Sequence, residues 1–505
     1  MASPPSFAKF RSAASQTPWL ASWSWMPFVY MGFLAVHAAT LGPTDDEAYY
    51  WVLAQRPALG YAFHPPGVAW LIALFWRIAG GLLAPGSIFA PFLLRLPAVF
   101  ISGAVLALAL QWVGRMGGRR FGWATLALLS LAGIFGLSWM IVPDLPLILG
   151  WMLAFTGAWE VCREEPTLPT LGTVWYRIGL GCLMATLGKY SGVLVGLSAG
   201  LAVLALAPRK FWWGAGIAIF AGTALAAVPI LIWNSQHDWA SILYQLHDRH
   251  QGASWSLIRY LRFWVIEAAL AGPFLIYFTL RLLRGRDRLE RFAAIWISVH
   301  GVIYLTQPAW AEFKPHWALL VWLPGALVLA ARLGQGRGVG GARFQMSWGW
   351  TAIFLGALAC QMPLISWVGE RFTGHRIQPT LDLSNDFRTW DRIPVFLRQH
   401  GFAGLPVVGS RYQTASQAAF ALGTGAPVEL LPRDRKQQDE WPDLGVSDGV
   451  GPAWPRLLKP VIFVADFRYA SGPEFRGAHC TKQGRLETIV WGYGSRRVEF
   501  WECRP

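Results

Sequence analysis

Apolar residues run long through the first three-quarters of the chain and become short and alternating in the last quarter. A helix crossing a bilayer needs about 20 mostly apolar residues. By that measure eleven runs read as spans: 22–41, 91–113, 121–139, 144–161, 176–188, 190–207, 211–233, 260–281, 291–306, 316–332 and 347–367. The first has no small-residue cleavage pattern and is expected to be retained as a span. The run 67–84 is apolar but short, follows His64-Pro65-Pro66, and reads as a juxtamembrane helix lying along the surface.

Beyond residue 368 the period changes. The runs 405–409, 461–465, 487–491 and 498–501 read as strands, 387–399 and 415–422 as helices, and the charged, Gly- and Pro-containing stretch 433–450 as a loop. The expected fold class is therefore mainly α: a polytopic membrane protein of about 11 transmembrane helices over 1–368, followed by a soluble α/β domain over 369–505.

Composition agrees with that division. Of the 505 residues 54% are hydrophobic and 14% charged, as in a polytopic membrane protein. Of the 71 charged residues, 33 lie in the last 136 positions, the density of an ordinary globular domain. The net charge of +15 could suggest nucleic acid, but its layout argues against that partner. Basic residues crowd into alternate loops: Lys9 and Arg11, Arg115 to Arg120, Arg163 and Arg177, Arg209 and Lys210, Arg281 to Arg291, and Arg332 to Arg343. The positive-inside rule places those loops in the cytoplasm. The N-terminus is then inside, and the intervening loops and the tail lie outside. Five Cys contain no CxxC pair and no metal-ligand spacing. Cys480 and Cys503 lie in the tail, where an oxidising compartment would let them pair.

Candidate chemistry sits on the outer face. Thr44-Asp45-Asp46-Glu47 directly follows the first span. Thr44 and Glu47 have the spacing of a capping box, and acids suit a helix N-terminus. That accounts for two of the four residues, and leaves two further carboxylates beside lipid, where they are costly. A second acid, Asp144, stands between Pro143 and Pro146 in another outer loop and could also serve as a helix cap. Isolated cations share this face against the charge rule: Lys189 in Gly188-Lys189-Tyr190-Ser191-Gly192, Arg249 beside His250, and Lys314 in Lys314-Pro315-His316-Trp317. Any one could be snorkelling to headgroups. Together, beside carboxylates, they suit a phosphate-bearing substrate.

These motifs resemble the polyprenyl-phosphate-dependent glycosyltransferases of the protein-mannosyltransferase type, family 39, related to the lipid A aminoarabinose transferase. The resemblance rests on Asp46-Glu47-Ala48-Tyr49-Tyr50-Trp51, Tyr61-x-x-His64-Pro65-Pro66, Arg95-Leu96-Pro97, Pro143-Asp144-x-Pro146-Leu147, the Lys189 and Lys314 motifs, Trp233-Asn234-x-x-His237 and Ser410-Arg411-Tyr412-Gln413. It covers nearly the whole chain. It implies a GT-C fold with an extracytoplasmic site, Asp46 as general base, Glu47 and Asp144 as further catalytic acids, and His64, Arg95, Lys189, Tyr190, Asn234, His237, Arg249, Lys314 and His316 around the substrate. Many relatives carry Asp before His-Pro-Pro, where this chain has Phe63, and the aminoarabinose enzymes have Lys at the position of His64.

The expected activity is transfer of a sugar from a polyprenyl-phosphate donor to an acceptor hydroxyl, with inversion. The acceptor is expected to be an envelope glycolipid or glycan, with lipid and protein open as acceptors. The leaving phosphate needs no strong acid, only a base for the acceptor proton and cations for the developing charge. No cofactor is required on this reading, with a divalent metal left open. The rival is a transporter or flippase of lipid-linked sugars. Transporters show repeated halves and midplane charges, neither of which the sequence contains. A non-catalytic receptor would not need so many spans.

Overall fold

The computed structural model describes residues 25–79, 83, 87–116, 138–164, 171–337, 340–375, 382–432, 435–448, 451, 453–468 and 472–505. Seventeen helices are labelled here: α1 (Met26–Ala39), α2 (Asp45–Gln55), α3 (Gly67–Ala79), α4 (Ala90–Arg115), α5 (Asp144–Cys162), α6 (Leu171–Gly188), α7 (Val193–Leu206), α8 (Trp212–Gln236), α9 (Ala240–Leu246), α10 (Leu257–Ala271), α11 (Pro273–Leu282), α12 (Arg288–Tyr304), α13 (Leu319–Gly334), α14 (Ala342–Gln361), α15 (Leu364–Thr373), α16 (Ile393–Gln399) and α17 (Tyr412–Leu422). Among the described residues four helices are long and apolar enough to cross a membrane, or up to six if two bent pairs each count as one span. Every expected span except 121–139 coincides with a helix. Residues 121–137 of that span, and Lys9, Arg11, Arg119 and Arg120, lie outside the described residues.

Two expected spans are not straight. The run 260–281 is α10 and α11, bent by 100° at Gly272, and 347–367 is α14 and α15, bent by 100° at Met362-Pro363. Gly272 has φ of +87°, open to Gly and strained for other residues, and Pro273 follows it. Hydropathy counts apolar residues and does not register such a break. The expected juxtamembrane helix is present as α3, with its 80–82 and 84 end undescribed.

The helices pack through small residues. A Cβ on Gly150 of α5 would lie 2.4 Å from the Gly181 carbonyl oxygen of α6, so the two backbones touch there. Close approach through Gly and Ala is the usual packing of helices in lipid, where the hydrophobic effect between them is absent. On another side of α5, Trp151 and Phe155 stack at 4.6 Å between ring centroids and meet Phe292 and Trp296 of α12.

The tail forms a five-stranded sheet, β1 (Val407–Gly409), β2 (Val428–Leu430), β3 (Val461–Asp466), β4 (His479–Val490) and β5 (Tyr493–Arg504), in the order β2-β1-β3-β5-β4. β1 runs parallel to β2 and β3, and β5 runs antiparallel to β3 and β4. Strand β2 has no counterpart in the sequence reading: Val428-Glu429-Leu430 has a carboxylate at its centre and makes no apolar run of the kind that marks β1. β4 and β5 are 12 residues each; the run 487–491 covers only the end of β4 and one residue beyond it, and 498–501 only the middle of β5. Cys480 and Cys503 face each other across that pair and are joined by a disulfide. The sequence reading expects the two cysteines to meet only if first and third strands adjoin or the sheet curls. They meet instead because Cys480 already belongs to the strand that pairs with β5.

The tail is docked, not tethered. Helix α17 lies on α2, with Phe420 edge-on to Trp51 and close to Trp76 of α3. Tyr49 donates its hydroxyl to Glu440 at 2.7 Å, and the Ala62 amide donates to the same carboxylate at 2.9 Å. Glu440 belongs to the stretch expected to be an exposed loop. Here it is buried, in a short 3-10 turn over Arg435–Glu440. The boundary expected after residue 368 falls inside α15.

Candidate functional site

The site is built around a cavity of about 710 Å³ whose wall includes Asp46, His64, Asp144, Lys189, Tyr190, Arg249, Lys314 and His316. Eight of the twelve residues singled out in the sequence therefore share one space, though they come from six separate stretches of chain. Its volume lies within the range of small-molecule sites.

Helix α2 presents Asp46. Thr44 caps the helix in a full capping box with Glu47, so the backbone here is fixed by local chemistry. Asp46 Oδ2 faces Lys314 Nζ at 3.1 Å, and Oδ1 accepts from the Tyr412 hydroxyl at 3.1 Å. Asp144, at the first turn of α5, accepts from Lys189 Nζ at 2.8 Å and lies 3.6 Å from His316 Nε2. Each acid thus holds a cation. Burial pulls the Lys189 ammonium below its ordinary pKa, and the Asp144 carboxylate works against that. His64 packs edge-on against Tyr50, and burial lowers its pKa to about 4, so at neutral pH it is an uncharged donor or acceptor.

Arg249 differs from the two lysines. Its guanidinium lies over the Trp317 ring at 4.3 Å and donates to Gln245 Oε1 at 3.0 Å, with no carboxylate partner among the described residues. Gln245 in turn donates to the Phe63 carbonyl at 2.9 Å, while the Phe63 ring meets Tyr244 at 4.6 Å. Phe63 thus brings an aromatic contact and no charge to this corner of the cavity.

Four of the twelve do not line the cavity. Glu47 is fully buried and paired with Arg95, also fully buried, at 2.7 Å. Arg95 additionally donates to the carbonyls of Ala38, Leu41 and Gly42 and lies over the Trp139 ring. Together they clasp the turn between α1 and α2. Asn234 is buried at the end of α8. It donates to Ser241 Oγ and accepts from the Ile242 amide, and Ser241 also takes the Tyr190 hydroxyl at 2.7 Å. It thereby holds α9, which brings Tyr244 and Gln245 to the wall. His237 stacks on Trp233 and meets Asp439 of the tail at 2.9 Å.

Tyr412 is a cavity residue that the reading of the outer loops does not pick out. Its motif stands in the tail, and nothing in its spacing shows that α17 docks beside α2. Among the described residues no group of three or more His, Cys, Asp or Glu converges as a metal site.

No family model matches the chain. Over 294 residues, 56% of this chain, it is 26% identical to the lipid A galacturonosyltransferase RgtD of Rhizobium johnstonii, and the match spans 59% of that relative's length. The fold is that of ArnT from Cupriavidus metallidurans. The apo structure superposes with a TM-score of 0.61 over 95% of this chain and 98% of that one, at 14% identity. The undecaprenyl phosphate-bound structure gives 0.59 over 96% and 98%, at 15% identity. The resemblance to polyprenyl-phosphate-dependent membrane glycosyltransferases read from the motifs is found again in the fold.

Proposed function

We propose that the protein is a membrane glycosyltransferase that moves a sugar from a polyprenyl-phosphate donor to a hydroxyl of an envelope glycolipid, on the periplasmic face of the inner membrane. The observation that carries this reading is the cavity in which Asp46 and Asp144 each face a lysine while Arg249 has no carboxylate partner among the described residues. The relative's lipid A activity and the undecaprenyl phosphate held by the ArnT structure support the acceptor and donor classes. The Cys480–Cys503 disulfide and the sparse basic charge of the cavity-side loops support a tail and a site outside the cytoplasm.

The chemistry follows from the placement. Asp46 accepts the proton of the acceptor hydroxyl. The freed oxygen bonds to the anomeric carbon as the bond from that carbon to the phosphate oxygen breaks, and the electron pair leaves with polyprenyl phosphate. Arg249, Lys189 and Lys314 stabilise the charge that gathers on the phosphate. Lys189 also fixes Asp144 through their 2.8 Å hydrogen bond. A single displacement of this kind inverts the anomeric centre.

Purified protein in nanodiscs, given radiolabelled polyprenyl-phosphate sugar and lipid A, should form labelled glycolipid, and Asp46→Asn should abolish the product while donor binding persists. Donor crossing the bilayer without any new glycosidic bond would favour a flippase instead.

A further inference from the structure

Asp45 and Asp46 are neighbours on one helical turn, yet their side chains go to different places. Asp46 faces the cavity. Asp45 enters a buried cluster supplied by the tail: Arg496 donates to it at 3.0 Å, Arg468 at 2.9 Å and Gln417 at 2.9 Å. Both arginines also reach Asp386 and Asp466. Arg496 is fully buried, with its guanidinium over the Trp390 ring at 5.2 Å. Burial opposes ionisation of Asp45, but Arg496 and Arg468 outweigh it and hold its carboxyl below the ordinary range.

One tail helix touches both neighbours. Tyr412, at the start of α17, donates to Asp46, and Gln417, about one and a half turns later, donates to Asp45 and to the Pro43 carbonyl. A guanidinium bonded to several carboxylates is a rigid fork. Two of them on Asp45 fix the rotation of the first turn of α2 about its axis. Because Asp46 is the next residue, that rotation sets where its carboxylate points.

We infer that the tail is part of the catalytic apparatus, with Arg468 and Arg496 as positioning residues that aim Asp46 through Asp45, and Tyr412 as the group that orients its carboxylate. The inference rests on the reading of Asp46 as the base. A base displaced by about 1 Å loses on the order of a hundredfold in rate. The tail thus does more than cap the membrane part: without its two arginines the cavity would keep its cations and lose its aim.

The test uses the full chain in nanodiscs. Loss of the fully buried Arg496 threatens folding, so Tyr412→Phe and Arg468→Lys carry the experiment, with Arg468→Gln and Asp46→Asn beside them. Tyr412→Phe removes one hydrogen bond to a carboxylate and keeps the ring that packs on Tyr49. It should lower kcat roughly ten- to a hundredfold, the range for a bond to a charged group, and leave donor KM and the melting temperature unchanged. Arg468→Lys should recover part of the kcat that Arg468→Gln loses. The double variant Tyr412→Phe/Arg468→Lys should cost less than the product of the singles, because both act on the aim of one carboxylate. Wild-type kcat in Tyr412→Phe and Arg468→Gln, with Asp46→Asn inactive, overturns the inference and leaves the base standing. Loss of kcat only in step with loss of melting temperature reduces the cluster to a structural one and overturns it too. An active Asp46→Asn removes the base, and the inference with it.

Discussion

Glu47 tests whether an acid in a catalytic motif is there for chemistry or for the fold. The proposed perturbation is Glu47→Gln, which keeps size and shape and removes the charge. In the structure both oxygens are occupied. Oε1 accepts from Arg95 Nε at 2.8 Å and from the Ile141 amide at 3.0 Å. Oε2 accepts from an Arg95 terminal nitrogen at 2.7 Å, the Thr44 amide at 3.0 Å and the Thr44 hydroxyl at 3.2 Å. An amide can accept at one end only, so whichever way it turns, its NH2 faces an Arg95 N–H together with a backbone amide, that of Ile141 or that of Thr44. Breaking a buried pair and leaving the other charge uncompensated costs about 3–5 kcal/mol. Thermal unfolding in detergent should therefore fall by about 5 °C or more, with activity lost in parallel. Glu47→Gln combined with Arg95→Gln should recover part of the melting temperature, since no lone charge remains buried. A Glu47→Gln protein that melts like the wild type but does not transfer sugar would refute this reasoning and return Glu47 to the catalytic residues.

Other expectations bear on binding, pH and topology. Arg249→Gln and Lys189→Ala should each weaken donor binding by about 1.5–3 kcal/mol, roughly ten- to a hundredfold, measured as Kd for the polyprenyl-phosphate sugar. Unchanged Kd in both would remove the phosphate role. His64 has a folded pKa near 4 against an ordinary 6.5, so between those values the unfolded chain binds the proton that the folded one refuses. Its contribution makes stability fall as pH drops from about 6.5 to about 4 and leaves stability flat above that window. His64→Gln should flatten the melting temperature over the same window, and an unchanged slope would count against it. Replacing Cys480 and Cys503 by Ser, which opens a link across a sequence separation of 23, should cost roughly 3 kcal/mol in the chain-entropy model. In spheroplasts, after reduction and denaturation of the exposed domain, an impermeant thiol reagent should reach both cysteines, and protection under those conditions would put the tail inside.

What the sequence made legible was what period and local chemistry encode. Long apolar runs marked the helices, and Thr44 with Glu47 marked the start of α2. The bends at Gly272 and Met362-Pro363 were not legible, because a 100° turn changes no residue's hydropathy. The site was legible as a set of unusual charges on one set of loops. Its division of labour was not. Glu47 and Asp46 sit side by side in one motif, and Asn234 and His237 in another. Only the packing shows Glu47 turned inward to Arg95, Asn234 tied to Ser241 and His237 stacked on Trp233, while Asp46 faces the cavity. Tyr412 and the two arginines of the tail were the least legible, since they reach Asp45 and Asp46 across 366 to 451 positions of chain.

The ion pairs in the cavity carry one more step. Lys314 on Asp46 and Lys189 on Asp144 neutralise the two carboxylates of the cavity, the first pair partly open to solvent and the second largely buried. Lys314 sits on Oδ2 of Asp46 and Tyr412 on Oδ1, where an acceptor hydroxyl would have to approach, so the pairs look at first like an obstacle. The donor removes it. On the proposed reading its phosphate offers an ammonium a charge-assisted partner, and its first foothold would be Arg249, which lies half-buried over Trp317 with no carboxylate partner among the described residues. Lys314 has its side chain 56% exposed and is free to swing from Asp46 to the phosphate, while Lys189, at 17%, is held against Asp144. Donor binding would then strip the cation from Asp46 alone and leave its hydrogen bond to Tyr412 intact. The base becomes competent only when a leaving group is present to use it, which discourages idle proton transfer in an empty cavity and makes Lys314, unlike Lys189, a residue whose loss should affect donor binding and catalytic rate with different weights.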